Sequence, residues 1–382
     1  MRPGSGITFV GLFFLTLTCA QGKERARDLG VPFEGTPGSL NAITDVAGIE
    51  VGHVTLVSGS GRLQRGTGPV RTGVTAILPR GKAATSKVFA GWFSQNGNGE
   101  MTGTTWVDES GILEGPIVLT NTHSVGVARD AVIQWRVRHD PSGAEEGWWS
   151  LPVVAETWDG YLNDINGFHV HPEHVFEALD KARSGPVAEG NVGGGTGMIC
   201  HEFKGGIGTA SRLLQADFGP YTVGILVQAN YGLRRQLRIA GVPVGMEIPG
   251  DLVWSREEGS IIVVVATDAP LLPHQLKRLA KRATMGVART GGTSGNGSGD
   301  IFIAFSTANS EAASSMTVSS LRMLSNDQLD PFFQAVVDGT EEAIVNALVA
   351  AETMEGRDGH RAVALPHDRL REILRRYGRL RD

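Results

Sequence analysis

Cysteine is close to absent from this chain. Two occur in 382 residues, and Cys19 falls inside an apolar leader. With the leader removed only Cys200 remains, so there is no intrachain disulfide framework to read. Its setting, GTGMICHEF, is apolar and marks a buried inert thiol rather than a nucleophile. Basic excess is lacking as well. The net charge is −5 and both signs are scattered along the chain, which excludes the basic face that nucleic acid requires. The ten histidines contain no HExxH. His169 and His171 in FHVHPEH come nearest to ligand spacing, and they read as loop ahead of a helix begun by Pro172. The apolar run Ile7 to Leu17 is too short for a mature bilayer anchor.

That run instead resembles the core of a signal peptide over residues 1–20. Arg2 precedes it, and Thr18 and Ala20 occupy the −3 and −1 positions of a cleavage site before Gln21. Thr16 stands where a lipoprotein signal ending at Cys19 would have Leu. The expectation is a periplasmic or secreted protein without a stable membrane anchor.

What the chain has in quantity is glycine, 52 residues with no collagen-like period, the mark of tight turns and close backbone approaches. Hydrophobic residues make up 41%, enough for a large core. Short β-rich runs (ITDVAGIEVGHVTL, GVTAILPRG, SKVFAGWF, TVGILVQANYG, SIIVVVATD, IFIAFSTAN) alternate with helical patterns (VARDAVIQWRVRH, EHVFEALDKARSG, HQLKRLAKRATMGVAR). LDPFFQAVVDGTEEAIVNALVAAETM predicts a further helical region with a break at Gly339, and the tail from His367 predicts another helix. Amphipathic helices covering strand-built faces define one α/β domain over 21–382. Residues 233–260, rich in Gly, Pro and charge, read as an excursion at its edge.

One stretch stands out: GGTSGNGSGDIFIAFSTAN, Gly291 to Asn309. A phosphate cradle is excluded by order, because helix, glycines, strand reverses the strand, glycines, helix of phosphate loops, and no GK[ST] is present. Composition leaves a plain flexible loop open. Chemistry offers a third reading, a peptide bond at Gly297-Ser298 that cuts itself. The Ser298 hydroxyl lies beside the unobstructed Gly297 carbonyl. Release would leave Ser298 as a new N-terminus, whose α-amine, with a pKa of roughly 7.7–8.0, is a usable general base.

These blocks resemble the DmpA and β-peptidyl aminopeptidase family of self-cleaving L-aminopeptidases and D-amidase/D-esterases. The resemblance is carried by GNGSGDIFIAFSTAN together with RARDLGVPFEGTPGSLNAITDVAGIEVGHVTL, NGNGEMTG, PIVLTNTHSVG, PVVAETWDGYLNDING, NVGGGTGM, GILVQANYG and DGTEEAIVNALVAAETM, in that order. It implies a four-layer αββα sandwich similar to N-terminal-nucleophile hydrolases with different connectivity. It implies cleavage into an α chain of 21–297 and a β chain of 298–382, no cofactor or metal, and homo-oligomers of αβ units such as tetramers. The substrates implied are peptides, amides or esters with a free amine. A self-cleaving acyltransferase of the ornithine acetyltransferase type is the alternative, weakened by the serine junction and the leader.

Ser298 is the expected nucleophile on both grounds. The resemblance carries an oxyanion role onto Asn230, which ends an apolar run, and an active-site role onto Tyr161. Glu156 is the choice for the substrate ammonium, with Asp159 its rival. Thr340 and Glu342 match a hydroxyl–glutamate pair linked to the nucleophile, although residue chemistry alone makes Thr340 an N-cap. Asn96, Asn98 and Glu100 in NGNGEMTG are further pocket candidates.

Overall fold

The computed structural model describes residues 23–84, 86–139, 147–215, 219–253, 256, 259–311 and 318–380. The leader and its cleavage site lie outside the described residues.

Two sheets form the centre. The first has four strands in the order β1-β2-β5-β6: β1 (Glu50–Ser58), β2 (Val70–Leu78), β5 (Ile117–Asn121) and β6 (Val153–Thr157). The second has six. Its order is β4-β3-β12-β11-β10-β9: β4 (Ile112–Leu113), β3 (Val88–Gly97), β12 (Ser298–Ser306), β11 (Gly259–Thr267), β10 (Thr222–Asn230) and β9 (Gly206–Leu213). Two small hairpins complete the strands, β7 with β8 (Ile199–Cys200, Phe203–Lys204) and β13 with β14 (Met354–Glu355, Arg361–Ala362). The helices are α1 (Thr104–Ser110), α2 (Val125–His139), α3 (Pro172–Asp180), α4 (Val244–Glu247), α5 (Pro273–Arg289), α6 (Asp330–Val349) and α7 (His367–Arg376).

The central strands are buried along their whole length, so each face needs its own apolar layer. Ile77, Leu119 and Ala155 of the four-stranded sheet meet Ile207, Leu226, Ile262, Val264 and Ile303 of the six-stranded one. The other face of the six-stranded sheet packs Val263, Phe302 and Ala304 against Leu276, Leu279 and Ala283 of α5 and Ala343 and Ala347 of α6. The outer face of the four-stranded sheet packs Val74, Val118 and Val154 against α2 and α3. Helices, sheet, sheet, helices: the expected four-layer αββα sandwich is observed. Each buried apolar side chain in these layers contributes about 1.5–3 kcal/mol.

The predicted break at Gly339 is absent. α6 runs unbroken, because a Cβ at Gly339 would stand 2.8 Å from Cγ1 of Ile225. The glycine lets the helix sit close on β10. Thr340 is therefore mid-helix and not an N-cap. It is buried against Gly286 of α5, where an added Cβ would lie 2.5 Å from that of Thr340.

The N-terminal segment clasps the far end of the chain. Arg27 binds Glu342 of α6 through two bonds of 2.8 Å, Arg212 of β9 reaches the same carboxylate at 2.7 Å, and Asn41 Nδ2 donates to it at 2.6 Å. Burial would raise the Glu342 pKa, but Arg27 and Arg212 outweigh it and hold the carboxyl below its usual range. Arg25 pairs with Glu189 at 2.7 Å, and Ala26 N donates to Asn346 Oδ1 at 3.0 Å. Glu342→Gln strands the buried Arg212 charge, so it is expected to cost about 3 kcal/mol in urea unfolding.

Candidate active site

The β11–β12 pair is parallel, with Gly259 opposite Ser298 and Ser260 opposite Gly299. Two Gly-Ser steps thus lie on neighbouring central strands at one end of the sheet, offset by one residue. Strand alternation sends their side chains to opposite faces. Ser298 and Asp300 share the face of Phe302 and Ala304, toward α5 and α6, and Ser298 Oγ donates to Asp300 Oδ1 at 2.6 Å. Ser260 shares the face of Ile262 and Val264, between the sheets.

A cavity of about 940 Å³ opens on that inter-sheet side. Gly259 and Ser260 line it together with Asn98, Gly99, Glu100, Thr122, Glu156, Trp158, Leu233, Arg235, Gln236, Arg256, Gly295, Asn296 and Gly297. Ser298 is fully buried and does not line it. Gly299 N donates to Ser260 Oγ at 3.1 Å. The chain needs glycine at 259, where φ is +148° and a Cβ would lie 2.0 Å from the Asn230 carbonyl oxygen. It needs glycine at 299 too, because a Cβ there would lie 2.4 Å from the Asn98 carbonyl oxygen. That close approach, rather than flexibility, explains the Ser-Gly-Asp at the start of β12.

Asn230 is the direct antiparallel partner of Ser260, so the two side chains share a face. Its amide is held on both sides: Oδ1 accepts from Ile199 N at 2.7 Å, and Nδ2 donates to the Trp158 carbonyl at 2.9 Å. Asn230 itself is not among the cavity's lining residues. Glu156, 3% exposed, ends β6 on the opposite wall. Its Oε1 accepts from Glu100 N at 2.9 Å, and Oε2 accepts from Thr122 Oγ1. Burial raises its pKa, with those two donors opposing. Asp159 is fully enclosed, taking bonds of 3.0 Å from Asn121 and 3.1 Å from Asn163, with burial pushing it up to about 6. Only Glu156 of the two carboxylates reaches the cavity.

The other expected residues divide. Asn98 Nδ2 donates to the Gly297 carbonyl at 2.8 Å, and Asn96 Nδ2 to that of Gly295 at 2.6 Å, so NGNGEMTG does pack on the Gly297 junction. Tyr161 stacks on His360 with ring centroids 4.4 Å apart and is not among the cavity's lining residues. Trp158 of the same block is. Thr340 and Glu342 do not line the cavity either, and Glu342 is paired with Arg27 and Arg212. Cys200 is buried, as expected, with its thiol pushed up to about 12 by burial. Among the described residues no cluster of metal-ligating side chains occurs. Sequence reasoning did not single out Ser260 as a lining residue: this second Gly-Ser step opening an apolar strand lacks surrounding glycines and read as an ordinary strand start.

A serine heading a central strand of an αββα sandwich, with a carboxylate-lined cavity beside it, is the layout of an N-terminal-nucleophile hydrolase. The chain belongs to peptidase family S58, whose model matches residues 41–362. It is 56% identical to the β-peptidyl aminopeptidase BapA of Sphingosinicella microcystinivorans, over 97% of this chain and 96% of that one. It is 49% identical to the BapA of Sphingosinicella xenopeptidilytica, over 94% and 93%. Among solved structures it is similar to the L-aminopeptidase D-Ala-esterase/amidase of Ochrobactrum anthropi, described as a serine aminopeptidase with a new variant of the Ntn hydrolase fold (TM-score 0.87, 50% identity, 94% and 99% covered). A Burkholderia β-aminopeptidase gives a TM-score of 0.85 at 51% identity, with 93% and 99% covered. The protein is an aminopeptidase of this family, a hydrolase of the serine N-terminal-nucleophile type.

A carboxylate holds a cation only when ionised. Because burial raises Glu156, binding of an amine at this wall is expected to weaken as pH falls through a value above the ordinary carboxylate range. The acid limb of kcat/KM should sit correspondingly high. Glu156→Gln should abolish that limb and lower kcat/KM by about 10- to 100-fold, measured as a pH–rate profile.

Proposed function

We propose that this aminopeptidase activates itself at Gly297-Ser298 and works through an acyl-enzyme on Ser298. The observation that supports the choice of bond is the cavity: Gly295, Asn296 and Gly297 line it together with Glu156, and Asn98 Nδ2 donates to the Gly297 carbonyl at 2.8 Å. In the first step Ser298 Oγ attacks the Gly297 carbonyl carbon. The C–O bond forms, the C–N bond breaks, and the hydroxyl proton passes to the Ser298 nitrogen. Water then hydrolyses the ester, leaving a Gly297 carboxylate and a free Ser298 amine.

In turnover Glu156 receives the substrate's ammonium group, which fixes the distance from the chain end to the attacked carbonyl. Ser298 Oγ attacks that carbonyl while the Ser298 α-amine takes the proton and returns it to the leaving amine. Water releases the acyl group. Asn230 is assigned as donor to the developing oxyanion, a contribution of about 3–4 kcal/mol for a good donor. The substrates are peptides, amides or esters with a free N-terminal amine.

A second reading moves cleavage to Gly259-Ser260. It is favoured by Ser260, which lines the cavity and stands opposite Asn230. Sequencing the smaller band on a denaturing gel decides between them. The expected start is Ser298, giving a fragment of 298–382, and a start at Ser260 overturns the assignment. Ser298→Ala should leave one uncut chain. The same proposal includes export with loss of residues 1–20 and assembly of αβ units into a homo-oligomer. An N-terminus near Gln21 and the particle mass by light scattering check these two points.

A further inference from the structure

The cavity is charged unevenly. Its acidic groups, Glu156 and Glu100, come from β6 and the loop between β3 and α1. The loop after β10 contributes Leu233, Arg235 and Gln236 from another wall, and Arg256 adds a second guanidinium to the lining. Arg235 is exposed, and its guanidinium has no hydrogen-bond, ion-pair or ring partner among the described residues.

Its neighbours are fixed on both sides. Arg234 is buried and donates to the carbonyls of His201, Glu202, Ile248 and Gly250, with its guanidinium 3.4 Å from the centroid of the Phe203 ring. Gln236 accepts from Leu233 N at 2.7 Å and donates to Thr293 Oγ1 at 3.1 Å. The backbone of Arg235 is therefore held while its head is left over the cavity. A planar donor fork on a fixed base matches a carboxylate at little ordering cost.

We infer that Arg235 receives a carboxylate on the leaving portion of the substrate. The preferred substrates are then short peptides with a free C-terminus, dipeptides foremost. A dipeptide at full extension places its two charges at most about 7 Å apart, so one small zwitterion meets Glu156 at one end and Arg235 at the other. The inference rests on the aminopeptidase reading, with Glu156 as the ammonium site.

The test uses the processed enzyme and two paired probes. Alanylglycine is compared with alanylglycinamide for hydrolysis, and the reduced-amide isosteres of both, whose CH₂–NH link is not cut, are compared for binding by calorimetry. The acid is expected to bind about 5- to 10-fold tighter than the amide, which is the range of one partly solvated charge-assisted bond. Arg235→Gln should erase that preference through KM, and it should leave alanine p-nitroanilide turnover within about twofold. Equal binding of acid and amide by the unmodified enzyme overturns the inference, as does an Arg235→Gln variant that keeps the preference. Failure to hydrolyse alanine p-nitroanilide strikes the aminopeptidase reading alone, because the isostere comparison still decides the role of Arg235.

Discussion

The parallel register of β11 on β12 is the constraint from which the site follows. It sets Gly259 level with Ser298 and Ser260 level with Gly299. Strand alternation then hands one serine to the inter-sheet cavity and the other to the helix layer. β10, antiparallel to β11, brings Asn230 opposite Ser260, and β6 of the other sheet brings Glu156 to the facing wall. Three glycine contacts seal the arrangement. Gly259 rests on the Asn230 carbonyl, Gly299 rests on that of Asn98, and Gly99 sits against both Gly299 and Glu156. The apolar layers on either side hold these strands, so the placement of the reacting groups is inherited from the core.

Two buried charges near the site are met by hydrogen bonds to backbone carbonyls. Lys204 is fully enclosed, and its ammonium donates to the carbonyls of Gly195, Met198 and Gly205 at 3.2, 2.7 and 2.9 Å. Burial lowers its pKa to about 7, while three acceptors favour the charged form. The turn it pins runs directly into Ile199, whose N–H holds Asn230. Arg234 does the same for the loop beyond Asn230. The polar residues outside the cavity thus act as a rigid backing for those inside it.

Much of this architecture was legible in the chain. Apolar runs such as SIIVVVATD and IFIAFSTAN read as strands because they are buried on both faces, amphipathic helices interleaved with them pointed to one α/β domain, and the αββα layering was implied by the family resemblance. Glu156 was separable from Asp159 only by burial, which depends on where Asn121 and Asn163 fall in space. The break at Gly339 was misread because a glycine that permits close packing looks the same in sequence as one that ends a helix. Ser260 was passed over because its neighbour Gly259 owes its identity to a carbonyl 29 positions away at Asn230, a contact that no local pattern records. Glu342 fitted a spacing motif, but its ion pairs with Arg27 and Arg212, which lie far off in sequence, were not legible.

The clasp of residues 25–41 on α6 joins the first described part of the chain to a helix near its end. A ribosome-bound intermediate that has not yet extruded residues 330–349 lacks the binding partner for Arg27 and Ala26, so its opening segment has nowhere to dock. The sandwich closes like a belt whose buckle is made at the end of synthesis. After any internal scission, the same buckle still ties the two polypeptides into one particle.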